Sequence, residues 1–190
     1  MSQENPRVAL FVAPGLEEIE GLTVVDILFR AGIACDTIAV AEERTITSSH
    51  KETIVCDRCI TDADFDFDAY DMLVLPGGIP GTPNLAACKP LTDAVVRFAQ
   101  EGKEVAAICA APTILAGLGL LEGKCATCFP SRTDELVEHG AILAPGSVVR
   151  DGNIMTSRGM GTAIDFSLAI VEHYQGREKA DALASAIVYR

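Results

Sequence analysis

Tryptophan is absent from this chain, and aromatic residues make up only 5% of it. A core short of large rings must be filled by Val, Ile, Leu and Ala, which suits a sheet of small branched residues covered by Ala-rich helices. Basic residues are scarce too: 15 Lys and Arg stand against 27 Asp and Glu, a formal charge of −12. A surface of that sign repels phosphate, which excludes nucleic acid and an anionic membrane surface as partners. No apolar run approaches the roughly 20 residues of a membrane span. The opening Met1-Ser2-Gln3-Glu4-Asn5-Pro6-Arg7 lacks the basic head and cleavage site of a signal peptide. Histidine occurs three times, at 50, 139 and 173, and none directly follows a candidate nucleophile. A cysteine-histidine triad thus has no evident members. The seven cysteines, an odd number in 190 residues, read as reduced thiols of a cytoplasmic protein rather than as a disulfide framework.

What is present points to a single α/β domain over residues 1–190. Val8 to Ala13 is a continuous apolar run, the pattern of a central parallel strand. Glu17, Glu18 and Glu20 then open a helix that Gly32 closes, and Ala34 to Val40 is the next strand, completing a βαβ unit. Thr45–Thr47 and Thr53–Val55 predict a hairpin outside the main sheet. Residues 61–71 form an acidic loop; a calcium loop starting at Asp62 would need Gly and Glu where Phe67 and Leu73 stand, so a solvated turn is the expectation. Further strands are expected at Met72–Leu75, Glu104–Ile108, Cys125–Phe129 and Ala141–Leu143, with a hairpin over 148–156. Helices are expected over 90–100, from Thr113 to about Gly119, and over 132–139, 163–173 and 178–187.

The richest stretch is Glu104 to Thr113. A buried strand ends on Cys109, and small residues lead straight into a helix. A nucleophile on such a strand-to-helix turn faces the amides of a helix N-terminus, whose partial positive charge favours a thiolate. The competing reading is a buried structural cysteine. A carboxyl group at the end of the first strand, from Glu17, Glu18 or Glu20, could reach Cys109 if the two strands were adjacent. It would then resist ionising and titrate as one system with the thiol. Pro76-Gly77-Gly78 ends another strand on exposed amides, at the sheet edge where α/β proteins bind ligands. The Cys-x-x-Cys pairs Cys56/Cys59 and Cys125/Cys128 are too far apart in sequence for a zinc ribbon, and residues three apart on a strand face opposite ways. No metal is expected.

Taken together, Glu17-Glu18-Ile19-Glu20, Leu75-Pro76-Gly77-Gly78, Ala107-Ile108-Cys109-Ala110-Ala111-Pro112 and Thr156-Ser157-Arg158-Gly159-x-Gly161-Thr162 resemble the motifs of the DJ/ThiJ/PfpI superfamily. The likeness is to the branch that holds the parkinsonism-associated protein deglycase and bacterial ThiJ proteins, and it runs in order along nearly the whole chain. It implies a flavodoxin-like three-layer sandwich, a mostly parallel sheet with helices on both faces and a nucleophile elbow. It also implies a homodimer with the first helix, including Arg30, in the interface. Cys109 becomes the nucleophilic, peroxide-sensitive cysteine and Glu20 its hydrogen-bonded carboxylic acid. Gly77, Gly78 and Ala110 become amide donors to an oxyanion or sulfinate. The implied activity is of the glyoxalase or deglycase type on methylglyoxal or its glycated thiol and amine adducts, without cofactor. The alternative is a redox sensor or chaperone whose cysteine is oxidised to a sulfinate. Phe129-Pro130 stands where relatives of the human protein have His-Pro, which removes one proton relay. Ala110 replaces the histidine of PfpI-type peptidases, which disfavours peptidase chemistry.

Overall fold

A computed structural model describes residues 6–189. Along the chain run β1 (Arg7–Val12), α1 (Glu18–Ala31), β2 (Ala34–Ala39), β3 (Thr45–Thr47), β4 (Thr53–Val55), β5 (Arg58–Cys59), β6 (Met72–Leu75), α2 (Gly81–Ala87) and α3 (Lys89–Glu101). There follow β7 (Glu104–Ile108), α4 (Pro112–Gly117), β8 (Cys125–Ala126), α5 (Thr133–Glu138), β9 (Ile142–Leu143), β10 (Val148–Asp151), β11 (Ile154–Ser157), α6 (Ala163–Gln175) and α7 (Arg177–Ala186).

The main sheet has seven strands in the order β10-β11-β7-β6-β1-β2-β5, parallel except for the antiparallel edge strand β10. Strand periodicity divides the core in two. Val8, Leu10 and Val12 of β1 face one layer with α1, α6 and α7. Ala9 and Phe11 face the other, with α2 to α5. The expected three-layer, flavodoxin-like α/β architecture is what the chain adopts. β3 and β4 pair outside the main sheet, as their short alternating pattern indicated.

Some elements differ from the sequence expectation. Cys125–Phe129 keeps only two strand residues, β8, which pair with β9 in a separate sheet; Pro130 removes an amide donor and turns the chain into a 3-10 helix. Helix α2 was missed because Pro80, Gly81 and Pro83 look like loop, yet proline is tolerated in a helix's first turn. The acidic loop is the solvated turn expected, with Asp64, Asp66 and Asp68 exposed, and it is also tied down. Asp62 accepts from the Cys59 amide at 3.1 Å, Asp68 pairs with Arg97 at 2.5 Å, and Phe65 and Phe67 pack around Phe11. His173, in the last turn of α6, accepts a hydrogen bond at Nδ1 from Arg150 at 2.6 Å. Burial and that guanidinium push its pKa down.

Candidate active site

Parallel register brings the ends of β1, β6 and β7 to one edge of the sheet. Val8 pairs with Met72 and Leu75 with Ala107, so the segments after Val12, Leu75 and Ile108 emerge side by side. Cys109 is the first residue beyond β7, and its φ of 65° lies in the left-handed region that side chains rarely adopt. Two backbone bonds hold it there. Its N–H donates to Ser157 O at 3.0 Å, and its carbonyl accepts from Phe129 N–H at 2.7 Å. The side chain therefore stands up from the sheet edge, the arrangement of a nucleophile elbow.

The three glutamates after β1 have separate tasks. Glu17 caps α1 by accepting from the Glu20 amide at 2.8 Å. Glu18 contacts His50 at 2.8 Å. Glu20, one helical turn in, points inward and is fully buried. The condition placed on its reach to Cys109 does not hold: β6 lies between β1 and β7. The carboxyl reaches across because Gly77, at the end of β6, has no side chain. A Cβ on Gly77 would sit 2.6 Å from Glu20 Oε2, 2.6 Å from Cys109 Cβ and 3.0 Å from Cys109 Sγ. Gly78 is constrained as well; at a φ of 99°, its Cβ would lie 2.3 Å from the Glu17 nitrogen.

Hydrogen bonding revises the expected amide cradle. The Gly77 N–H donates to Glu20 Oε2 at 2.9 Å, so it holds the carboxyl and is not free for an oxyanion. The Gly78 and Ala110 amides are the ones that steady charge on the Cys109 sulfur. Glu20 Oε1 is buried without a well-formed hydrogen bond, although the Cys109 thiol and the Met160 amide both act on the carboxyl; it faces Gly159, whose Cβ position lies 3.7 Å away. Phe129 closes the same side, 3.2 Å from that position.

Charge at the site is governed by burial. It pushes Glu20 up to about 7, against the contrary pull of the thiol and the Gly77 amide. Burial and then the Glu20 carboxylate push Cys109 up to about 12. Helix amides alone had suggested an acidic thiol; they do act in that direction here, but burial and the like charge outweigh them. The pair therefore releases one proton near neutrality and resists losing the second. A thiolate forms where Glu20 keeps the shared proton.

A scan of known families matches the DJ-1/PfpI family over residues 6–173. The chain belongs to the DJ-1/PfpI family. Protein dj-1beta of Drosophila melanogaster is 36% identical over 179 residues, covering 94% of this chain and 95% of that protein. A Caenorhabditis elegans relative named glutathione-independent glyoxalase DJR-1.2 is 30% identical, covering 96% of each. Oxidized Toxoplasma gondii DJ-1 superposes with a TM-score of 0.90 at 30% identity, covering 97% of this chain and 98% of that one. The chain spans less than half the length of two Arabidopsis thaliana relatives, 48% of DJ-1 homolog A and 41% of homolog B.

Other sequence candidates do not join this DJ-1-type site. Arg30 lies on the outer face of α1, ion-paired with Asp26 at 2.8 Å. All seven cysteines are free, with Cys125 exposed and Cys128 buried. Ligand atoms of Glu17, Glu18 and His50 lie within 4.8 Å of one another, a grouping the sequence reading did not consider. Ser157 and Gly159 were legible only as part of a motif. Arg132, whose charge acts on Cys109, carried no signal, because only the turn after β8 brings it near. No helix among the described residues is long and apolar enough to cross a membrane.

Proposed function

We propose that the chain is a cysteine-dependent, cofactor-independent glyoxalase or deglycase of the stress-response kind. Its substrates would be α-oxoaldehydes such as methylglyoxal, or their glycated thiol and amine adducts. The observation that carries this reading is the approach of the half-buried Cys109 and the fully buried Glu20 carboxyl across Gly77, where no side chain separates them. The name of the C. elegans relative supports it.

In this reading the Cys109 thiolate adds to the aldehyde carbon, and the resulting oxyanion lies against the Gly78 and Ala110 amides and takes a proton to give a hemithioacetal. Glu20 as carboxylate then takes the proton from that carbon and returns it to the neighbouring one, so that the keto carbon is reduced as the aldehyde carbon is oxidised. The product is a thioester of a 2-hydroxy acid. Water cleaves it, releasing lactate from methylglyoxal and restoring the thiol. A pKa near 7 suits a group that must both take and give that proton. The test is loss of methylglyoxal with matched lactate formation in wild type, Cys109→Ser and Glu20→Gln. Equal rates in all three would refute the reading.

A second reading is favoured by the same amides and by the oxidized T. gondii relative. Cys109 would act as a redox sensor or chaperone switch, taking two oxygens from two peroxides to become a sulfinate, with protonated Glu20 as its hydrogen-bond donor. Peptide mass after mild peroxide should place the added oxygens on Cys109; even spread over the seven cysteines would refute it. For assembly we propose a homodimer through α1. Ile19, Leu22 and Phe29 are 47%, 43% and 81% exposed there, and Arg30 borders the same face. Sedimentation should give a dimer that Phe29→Asp dissociates.

A further inference from the structure

A cavity of about 340 Å³ opens beside the elbow, on the face of the sheet covered by α2 to α5. Its walls are chiefly apolar, formed by Ile79, Pro83, Ala86, Ile114 and Leu118. Ala110 also lines it, and Ile79 directly follows Gly78. Of the two amides that face Cys109, one thus belongs to a residue lining the cavity and the other to the residue just before one.

Most polar groups on the walls are already engaged. Thr92 Oγ1 donates to Lys89 O at 3.1 Å, and Thr113 Oγ1 to Ala110 O at 2.8 Å. Arg132 donates to Glu135 at 2.5 Å, so each charge is answered locally and neither is left to select an ionic ligand. Thr82 differs. It is 5% exposed and its hydroxyl has no hydrogen-bond partner. That oxygen is itself closed off from the cavity, so Thr82 offers a ligand there no hydroxyl.

We infer that the cavity receives the carbon chain of a 2-oxoaldehyde larger than methylglyoxal, a short aliphatic chain without charge. The inference rests on the reaction proposed above. With the aldehyde carbon on Cys109 Sγ and its oxygen at the Gly78 and Ala110 amides, the substituent on the keto carbon leaves the elbow along the wall formed by Ile79 and Ala110. Methylglyoxal leaves this space empty.

Two measurements separate binding from chemistry. Calorimetry with 2-hydroxy acids of increasing chain length probes the cavity without turnover, and steady-state kinetics with the matching 2-oxoaldehydes probes its use. Each buried methylene should tighten binding by up to about fourfold, with kcat/KM rising in step. Gly117→Leu should bring the long-to-short ratio close to one. A Cβ at Gly117 meets no atom within 4 Å, so the helix end can carry the change. Ala86→Leu repeats the test from another wall. Affinity independent of chain length, or a gain that survives both filling variants, overturns the inference. If Cys109→Ser consumes methylglyoxal as fast as wild type, the proposed reaction fails, and the calorimetric series alone then decides the cavity.

Discussion

Replacing Glu20 with glutamine tests the physical basis of the site without relying on any substrate. The carboxyl titrates near 7 in the folded chain rather than at 4.5, chiefly because burial disfavours its charge. Between those values the folded protein holds a proton that the unfolded chain has released, so stability falls as pH rises across the window. The contribution is fully present below 4.5 and lost above about 7. At 1.36 kcal/mol per pH unit it is worth about 3 kcal/mol. Glutamine occupies the same volume, can accept from the Gly77 amide, and does not titrate. Urea unfolding of wild type and Glu20→Gln at pH 4.5 and pH 8 isolates the effect, because every other titrating group is common to both. The variant should gain about 3 kcal/mol relative to wild type at the higher pH. A difference between the two proteins that stays constant with pH would refute the assignment of a raised Glu20. The alkylation rate of Cys109 supplies a second check: in wild type it should rise with a midpoint near 7, the pair's first proton, and Glu20→Gln should lose that step.

Other perturbations reach different parts of the molecule. Gly77→Ala places a methyl 2.6 Å from Glu20 Oε2 and Cys109 Cβ, so thermal melting should show a loss of about 1–3 kcal/mol, as for an overpacked core. Phe11→Ala empties the fully buried centre of the cluster with Phe65 and Phe67; chemical denaturation should show a loss of about 3–5 kcal/mol. The His173 ring should titrate below an ordinary histidine by NMR, and Arg150→Met should raise its midpoint, because burial and the guanidinium together hold it down. No movement on that substitution would remove Arg150 as a cause.

Much of the architecture was legible because its signals are local. Val8–Val12 and Met72–Leu75 are apolar on both faces, which only a sheet covered twice can accommodate. Gly32, with a φ of 74°, ends α1 where the sequence placed its stop. The errors came where local pattern and tertiary pairing diverge. Phe129 looks like strand, but its amide is taken by the Cys109 carbonyl, so it belongs to the elbow rather than to a ladder. Arg58–Cys59 is too short to show periodicity, and only pairing with β2 makes it a strand.

The site divides in the same way. The order of residues alone determines that Cys109 lies between a buried strand and a helix, that carboxylates stand in the first turn of α1, and that glycines follow β6. Those features follow from backbone preference and hydrophobic period. Which of the three glutamates turns inward, and that it passes an intervening strand, depended on strand order and on the room left at Gly77. The protonation of the pair is likewise a tertiary property. A helix N-terminus by itself lowers a thiol's pKa; a buried carboxyl beside it, in a pocket closed by Phe129 and Gly159, reverses that preference.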